Sequence, residues 1–367
     1  MSENNNTGSI FGPEQGAAAE VLPKTEESKQ RGEIKSKRNI FDSMHDEVMQ
    51  SDLPDAEKNR RLSMLLKASG RKVNIMLVGA TGSGKSSTIN AMFDMNVAKV
   101  GIGVDPETKE IEKYEIGNLI IWDTPGLGDG VENDKEHIRQ IVTKLSETHE
   151  DGNLLIDLVL VVIDASSKDL SVSYDVINNT LIPCLGKNET HRILIALNQS
   201  DMAMKGRHWD YEENAPDSVL KGFLTKKANS VKQRVFDATG VTVEPVCYCA
   251  GYTEDDGEQL NPYNLSKLLY YILMAVPSEK RIVLADKLNE DEINWAANDD
   301  DMDYNEAIKE GFWESLWSGV GEGAEKGGVT GGCILGVPGM IVGSFIGGIL
   351  GGLHALIIKP LMELTTD

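Results

Sequence analysis

Val73-Asn74-Ile75-Met76-Leu77-Val78-Gly79-Ala80-Thr81-Gly82-Ser83-Gly84-Lys85-Ser86-Ser87-Thr88 runs an apolar stretch, a glycine-rich turn and the start of a helical pattern together without a break. Gly79 to Ser86 fits G-x-x-x-x-G-K-[ST], and both flanks, strand before and helix after, are what that spacing requires. Its glycines let the backbone wrap closely, so that successive N–H groups and the positive end of the helix meet a phosphate. Lys85 offers a point charge to β- and γ-phosphates, and the Ser86 hydroxyl is a ligand for Mg²⁺. Gly79, Ala80, Thr81, Gly82, Ser83, Gly84 and Ser87 complete the candidate cradle.

Working outward, VNIMLVG is followed by NLIIWDT, DLVLVVIDA, RILIALN and EPVCYCA, with amphipathic segments between them. This alternation predicts a mostly parallel sheet with helices on both faces. KEIEKYEIG alternates charged and apolar residues directly before NLIIWDT, and a Gly-Asn turn joins the two into a hairpin whose first strand is an antiparallel edge. The fold class expected is α/β, a P-loop NTPase with a Ras-like, mostly parallel six-stranded sheet, one antiparallel edge strand and a helical C-terminal extension.

Two further strand ends carry candidate chemistry. Asp123-Thr124-Pro125-Gly126 follows NLIIW, which places a carboxylate toward Mg²⁺ and a glycine, Gly126, toward the γ-phosphate. Asn198-Gln199-Ser200-Asp201 ends RILIALN. A carboxylate there accepts the two N–H donors of guanine, a pair adenine lacks, so the ligand expected is GTP or GDP with Mg²⁺.

In these motifs the chain resembles the Era-like, translation-factor-type (TRAFAC-class) GTPases. GATGSGKSSTINAMF, WDTPGLGDG and ALNQSDMAMKGRHWD look most like the bacterial YfjP/YeeP-type predicted GTPases, over about residues 71–277. The resemblance implies a GTP-hydrolysing enzyme with Lys85, Thr108 and Gly126 at the reacting phosphate. It implies Ser86, Thr108 and Asp123 at the metal. Thr108 is the only threonine between Asp94 and Trp122, and so takes the place of the switch threonine. A loop backing the base would fall at Cys249-Ala250-Gly251.

The chain departs from that pattern in two places. Gln199 stands where lysine is usual, which shortens the stem over the base and removes its charge. Leu127 stands where a glutamine orients water in many such enzymes, which predicts slow hydrolysis alone. Asp129 or Asp134, or a partner, would have to supply water activation. Arg139 and Arg207 read as exposed residues before they read as arginine fingers. Gly82 occupies the position at which related GTPases recruit K⁺ through asparagine, so no K⁺ site is expected.

Around this domain the composition shifts. The 367 residues carry 58 acids against 36 Lys and Arg, a formal charge of −22, with 40% apolar residues. That is a globular balance, and its bulk negative field argues against nucleic acid as a partner. Four cysteines in so long a chain read as reduced thiols in a cytoplasmic setting, and the N-terminus has no secretory pattern.

The organisation expected is a disordered tail over 1–38, a helical lead-in over 39–70, the nucleotide-binding domain over 71–277, an acidic helical linker over 278–326 and a glycine-rich hairpin over 327–367. From Asp286 to Glu314 there are eleven acids against Lys287 and Lys309, the basis for reading a solvated linker.

Of 36 glycines, 14 lie between Gly319 and Gly352, and residues 327–358 contain no Asp, Glu, Lys or Arg. Glycines four apart, such as Gly339, Gly343, Gly347 and Gly351, suit close backbone packing in lipid. Gly339 to Ile358 would span about 30 Å as a helix, a bilayer core. Trp313, Trp317 and Lys359 would flank it as interfacial anchors. The alternative is a tail folded back on the domain or forming a soluble oligomer core.

Two functions compete: a GTP-hydrolysing switch that couples nucleotide state to a membrane-associating tail, and a membrane-inserting effector or scaffold that binds GTP with little hydrolysis. The first carries the further expectations of a homodimer or activating partner, and of a position in the cytoplasm or at the inner face of a membrane.

Overall fold

The computed structural model describes residues 40–93, 110–128, 130–253 and 259–318. Two helices lead in, α1 (Ile40–Gln50) and α2 (Asp55–Ser69), broken at Pro54, which caps the second. There follow β1 (Val73–Val78), α3 (Lys85–Met92), β2 (Glu112–Ile116), β3 (Leu119–Asp123), α4 (Val131–Leu145) and β4 (Leu158–Asp164). Next, α5 (Ser171–Val176) passes through a π-helical turn into α6 (Ile182–Leu185), and β5 (Ile193–Asn198) returns to the sheet. A small hairpin, β6 (Trp209–Asp210) with β7 (Ala215–Pro216), precedes α7 (Ser218–Thr239), whose first N–H groups are capped by the Asp217 carboxylate. The remainder is β8 (Val246–Cys247), β9 (Tyr252–Thr253), β10 (Gln259–Leu260), α8 (Leu265–Ala275), α9 (Ile282–Ala285), α10 (Ile293–Ala296) and α11 (Tyr304–Ser318).

Six strands form one sheet in the order β2-β3-β1-β4-β5-β8, with only β2 antiparallel. The chain leaves β1 first to one side and then to the other, so the sheet has its topological switch point at the end of β1, where such sheets bind ligands. The parallel registers bring Leu77 opposite Asp123 and Asp164 opposite Asn198, which sets the motif-bearing strand ends along one rim.

Strands covered on both faces must be apolar throughout, and β1 and β5 are buried at every position. Val73, Ile75 and Leu77 face one core with α1, α2, α3 and α8. Met76 and Val78 face the other, with α4, α5 and α7. Within β1, Asn74 is the polar exception. Its N–H donates to Asp157 Oδ2 at 2.9 Å and its amide oxygen accepts from Trp122 Nε1 at 3.1 Å.

The acidic segment expected to be a solvated linker is instead part of the first core. Ile282, Val283, Leu284, Ala285, Leu288, Trp295, Tyr304, Ile308 and Phe312 are all buried in it. Tyr304, Ile308 and Phe312 are spaced by four, one face of a helix, while the acids occupy the other positions. Lys267 on α8 pairs with Asp299 at 2.5 Å and Asp301 at 3.0 Å, and Ile40 N–H donates to Asp286 Oδ1 at 2.7 Å. The tails over 1–38 and 327–367 lie outside the described residues. Among the described residues, no helix is long and apolar enough to cross a membrane.

Candidate functional site

The turn from Gly79 to Gly84 joins the end of β1 to the first residue of α3, Lys85. Gly84 has φ +88°, and a Cβ there would overlap Asn198 Nδ2. The Lys85 ammonium folds back over the turn, donating to the Gly79 carbonyl at 3.2 Å and the Ala80 carbonyl at 3.3 Å. Ser86 Oγ donates to Asp123 Oδ2 at 3.3 Å. Ser87 is half-buried one residue further along α3.

Asp123 is 1% exposed at the end of β3, and its Oδ1 has no hydrogen-bond partner. Burial pushes its pKa up to about 6, with the Lys85 charge and the Ser86 hydroxyl pulling the other way and Glu112 adding to the rise. A buried acceptor left over beside a hydroxyl and an ammonium is an incomplete polar set, and hard oxygen donors of this kind suit Mg²⁺. Ser83 Oγ in the turn is buried without a partner as well.

The turn after Asp123 lies directly on the glycine-rich turn. Thr81 N–H donates to the Leu127 carbonyl at 3.1 Å, and Leu127 N–H donates to the Gly79 carbonyl at 3.2 Å. Gly126 packs so close to Thr81 that a Cβ would overlap its backbone. Leu127 is 2% exposed and its side chain sits in the second core with Met76 and Val78. It therefore contributes packing, and its side chain does not face the site.

At the third strand end, Asn198 is buried and makes two joints. Its Nδ2 donates to the Ser83 carbonyl at 3.0 Å, and its Oδ1 accepts the Ala250 N–H at 3.0 Å. Gln199, at φ +59°, donates from Nε2 to the Gly82 carbonyl at 2.8 Å. Asp201 is 4% exposed with Oδ1 unpartnered, an acceptor waiting for a donor. Cys249 is buried beside it, and burial together with the Asp201 carboxylate raises its thiol well above the ordinary range.

The strand ends thus gather Gly79 to Ser86, Asp123, Gly126, Asn198, Gln199, Asp201, Cys249 and Ala250 on one rim. Thr108 and Asp129 lie outside the described residues. Asp134, a candidate for water activation, instead accepts the Gly128 N–H at 2.9 Å. Arg139 pairs with Glu136 at 3.2 Å and is exposed, and exposed Arg207 donates to the Met204 carbonyl at 3.3 Å.

Sequence reasoning missed three residues. Tyr248 is fully buried and its hydroxyl meets Thr88 Oγ1 at 2.6 Å. Thr88 donates in turn to the Gly84 carbonyl at 2.7 Å, so Tyr248 is the donor to Thr88. His137, on α4, lies 3.2 Å from the Gly126 carbonyl. No local pattern marks these residues, because Tyr248 meets Thr88 from 160 positions away and His137 reaches Gly126 only once α4 folds back over the turn.

A glycine-rich turn at the switch point of a parallel sheet, an acid closing the adjacent strand and an Asn-x-x-Asp closing another define a P-loop GTPase domain. Residues 74–199 match the family model described as 50S ribosome-binding GTPase. The chain is 27% identical to the uncharacterized protein YkfA of Escherichia coli over 157 residues, 42% of this chain and 50% of YkfA. It is 39% identical to human Septin-12 over 77 residues, 18% of this chain and 22% of that protein. The chain thus spans half or less of the curated relatives it matches.

Among solved structures, a dimerization-deficient mutant of Toc33 from Arabidopsis thaliana aligns with TM-score 0.40 and 18% identity, over 62% of this chain and 94% of Toc33. A probable GTP-binding protein engB aligns with TM-score 0.35 and 17% identity, over 55% and 98%.

Proposed function

We propose that the chain is a guanine-nucleotide switch that binds GTP with Mg²⁺ and hydrolyses it slowly to GDP and phosphate. The observation that carries this reading is the set of buried, unpartnered oxygens along one rim of the sheet, Ser83 Oγ, Asp123 Oδ1 and Asp201 Oδ1. A buried acceptor without a partner costs about 1–3 kcal/mol, and a ligand carrying N–H donors and a metal would repay it.

In this reading Asp201 accepts the guanine N–H pair, with Asn198, Gln199, Cys249 and Ala250 holding its loop. The amides of Gly79 to Ser87 and the Lys85 ammonium grip the β- and γ-phosphates, and Gly126 approaches the γ-phosphate through its backbone. Ser86, Asp123 and Thr108 hold the metal. Mg²⁺, when bound, neutralises charge on the phosphates. Leu127, turned into the core, offers the attacking water nothing, so turnover is slow until a second copy of the chain or an activator supplies the missing group. The charge-free, glycine-spaced segment 327–358 supports coupling of nucleotide state to a membrane surface.

Multiple-turnover GTP hydrolysis by the parent chain and by Lys85→Ala tests the enzyme reading, and equal rates would remove it. Liposome flotation with and without residues 327–367 tests the membrane coupling, and equal flotation would remove that part alone.

A further inference from the structure

Two side chains of α4, three positions apart and therefore on one face, grip the turn that follows Asp123. Asp134 Oδ1 accepts the Gly128 N–H at 2.9 Å, and His137 Nδ1 lies 3.2 Å from the Gly126 carbonyl oxygen. A carbonyl oxygen only accepts, so Nδ1 carries the proton and His137 is the donor. The other end of the same peptide unit is also held, because Leu127 N–H donates to the Gly79 carbonyl at 3.2 Å. The Gly126–Leu127 peptide plane is thus pinned at its C=O by α4 and at its N–H by the glycine-rich turn.

Without that pin a glycine peptide swings readily, since no Cβ restricts its dihedrals. Pinning this plane holds ψ of Gly126, one of the two dihedrals that set the direction of the preceding N–H, that of Gly126, and so narrows the orientations open to the group the proposed function aims at the γ-phosphate. We propose that His137 is a positioning residue for the γ-phosphate, acting through the Gly126 carbonyl. The inference rests on the guanine-nucleotide reading above. It assigns the sensing of the third phosphate to a junction between α4 and this turn, with Leu127 serving as the hydrophobic anchor between the two pinned glycines, Gly126 and Gly128.

The test uses the full chain and three variants. His137→Asn puts an amide N–H near the place of Nδ1, His137→Gln puts one near the place of Nε2, and His137→Ala removes both. Affinities for GDP and for a non-hydrolysable GTP analogue are measured by competition against a fluorescent guanine nucleotide, and kcat is measured alongside. His137→Ala and His137→Gln are expected to weaken analogue binding about tenfold, the loss of one hydrogen bond in a closely packed turn, while GDP binding changes less than about twofold. His137→Asn is expected to restore the analogue preference and kcat.

In the nucleotide-free parent, imidazole ¹⁵N shifts are expected to show the Nδ1–H tautomer. Equal weakening of both nucleotides, failure of His137→Asn to rescue, or an Nε2–H tautomer would overturn the inference and leave the nucleotide reading standing. Absence of all guanine-nucleotide binding by the parent would overturn both.

Discussion

Gln199 Nε2 donates to the carbonyl of Gly82 at 2.8 Å, tying the base-side loop to the phosphate-side turn with a neutral amide. Its backbone, at φ +59°, aims the side chain back across the gap. Removing the amide with Gln199→Ala is expected to weaken GDP binding about fivefold, since an exposed neutral hydrogen bond contributes about 1 kcal/mol. Gln199→Lys, with an ammonium donor of greater reach, is expected to match the parent or exceed it. Equilibrium titration with a fluorescent GDP measures both.

Asp201 supplies the buried acceptor in the proposed guanine contact. Asp201→Asn keeps the shape but replaces one acceptor with a donor that faces the guanine N–H pair. Affinity for GDP is expected to fall at least about a hundredfold, the order set by losing two charge-assisted hydrogen bonds. Xanthosine diphosphate, with a carbonyl in place of the exocyclic amine, is expected to gain on GDP in the variant. Competition binding with the two nucleotides checks the exchange.

Leu127→Gln would restore the residue type many GTPases place here. Because the side chain is 2% exposed and packed against Met76 and Val78, the amide would enter the core and not the site. The variant is expected to be less stable by about 2 kcal/mol, the cost of burying an unpaired amide, with kcat no higher than the parent. Urea denaturation and a turnover assay report the two effects separately.

Phe312 is fully buried in the core beneath α8. Phe312→Ala is expected to cost about 3–5 kcal/mol of unfolding free energy, read by urea denaturation of the full chain. A fragment ending at residue 277 is expected to lose cooperative unfolding, because α9 and α11 complete that core.

The Asp299 carboxyl sits below the usual carboxylate range. Burial acts against this, and the Lys267 ammonium at 2.5 Å and the Tyr304 hydroxyl at 2.9 Å together outweigh it. A carboxyl depressed in the folded state contributes stability above its unfolded pKa of about 4, and loses that contribution as pH falls through the lower folded value. Lys267→Met removes the partner, so the parent's extra stability near neutrality shrinks and the acid-unfolding midpoint moves to higher pH. Circular dichroism across an acid titration reads the shift.

The sheet was legible because strands covered on both faces must be largely apolar, and VNIMLVG, DLVLVVIDA and RILIALN are so apart from Asn74 and the polar residues at their ends. The glycine-rich turn was legible because its spacing is local, and Asp123 and Asn198 stood out because each follows an apolar run. The role of 282–314 was hidden by averaging, since a charge count over that segment mixes eleven acids with Tyr304, Ile308 and Phe312 at helical spacing. Tyr248 with Thr88, and His137 with Gly126, carried no local signal, because only the folded backbone brings those pairs together. Leu127 was readable as a missing polar group, and its burial shows where the side chain goes instead.

The hydrogen bond from Ile40 N–H to Asp286 spans 246 positions of sequence. Translation at ~5–20 residues per second takes on the order of 12–50 s to cover that distance. Through most of that interval α1 can pack on α2 alone, since the C-terminal segment that completes its core has yet to be made. The first described helix therefore takes its place among the last, and the nascent chain depends during synthesis on whatever shields Ile40, Phe41, Met44 and Val48 from other chains.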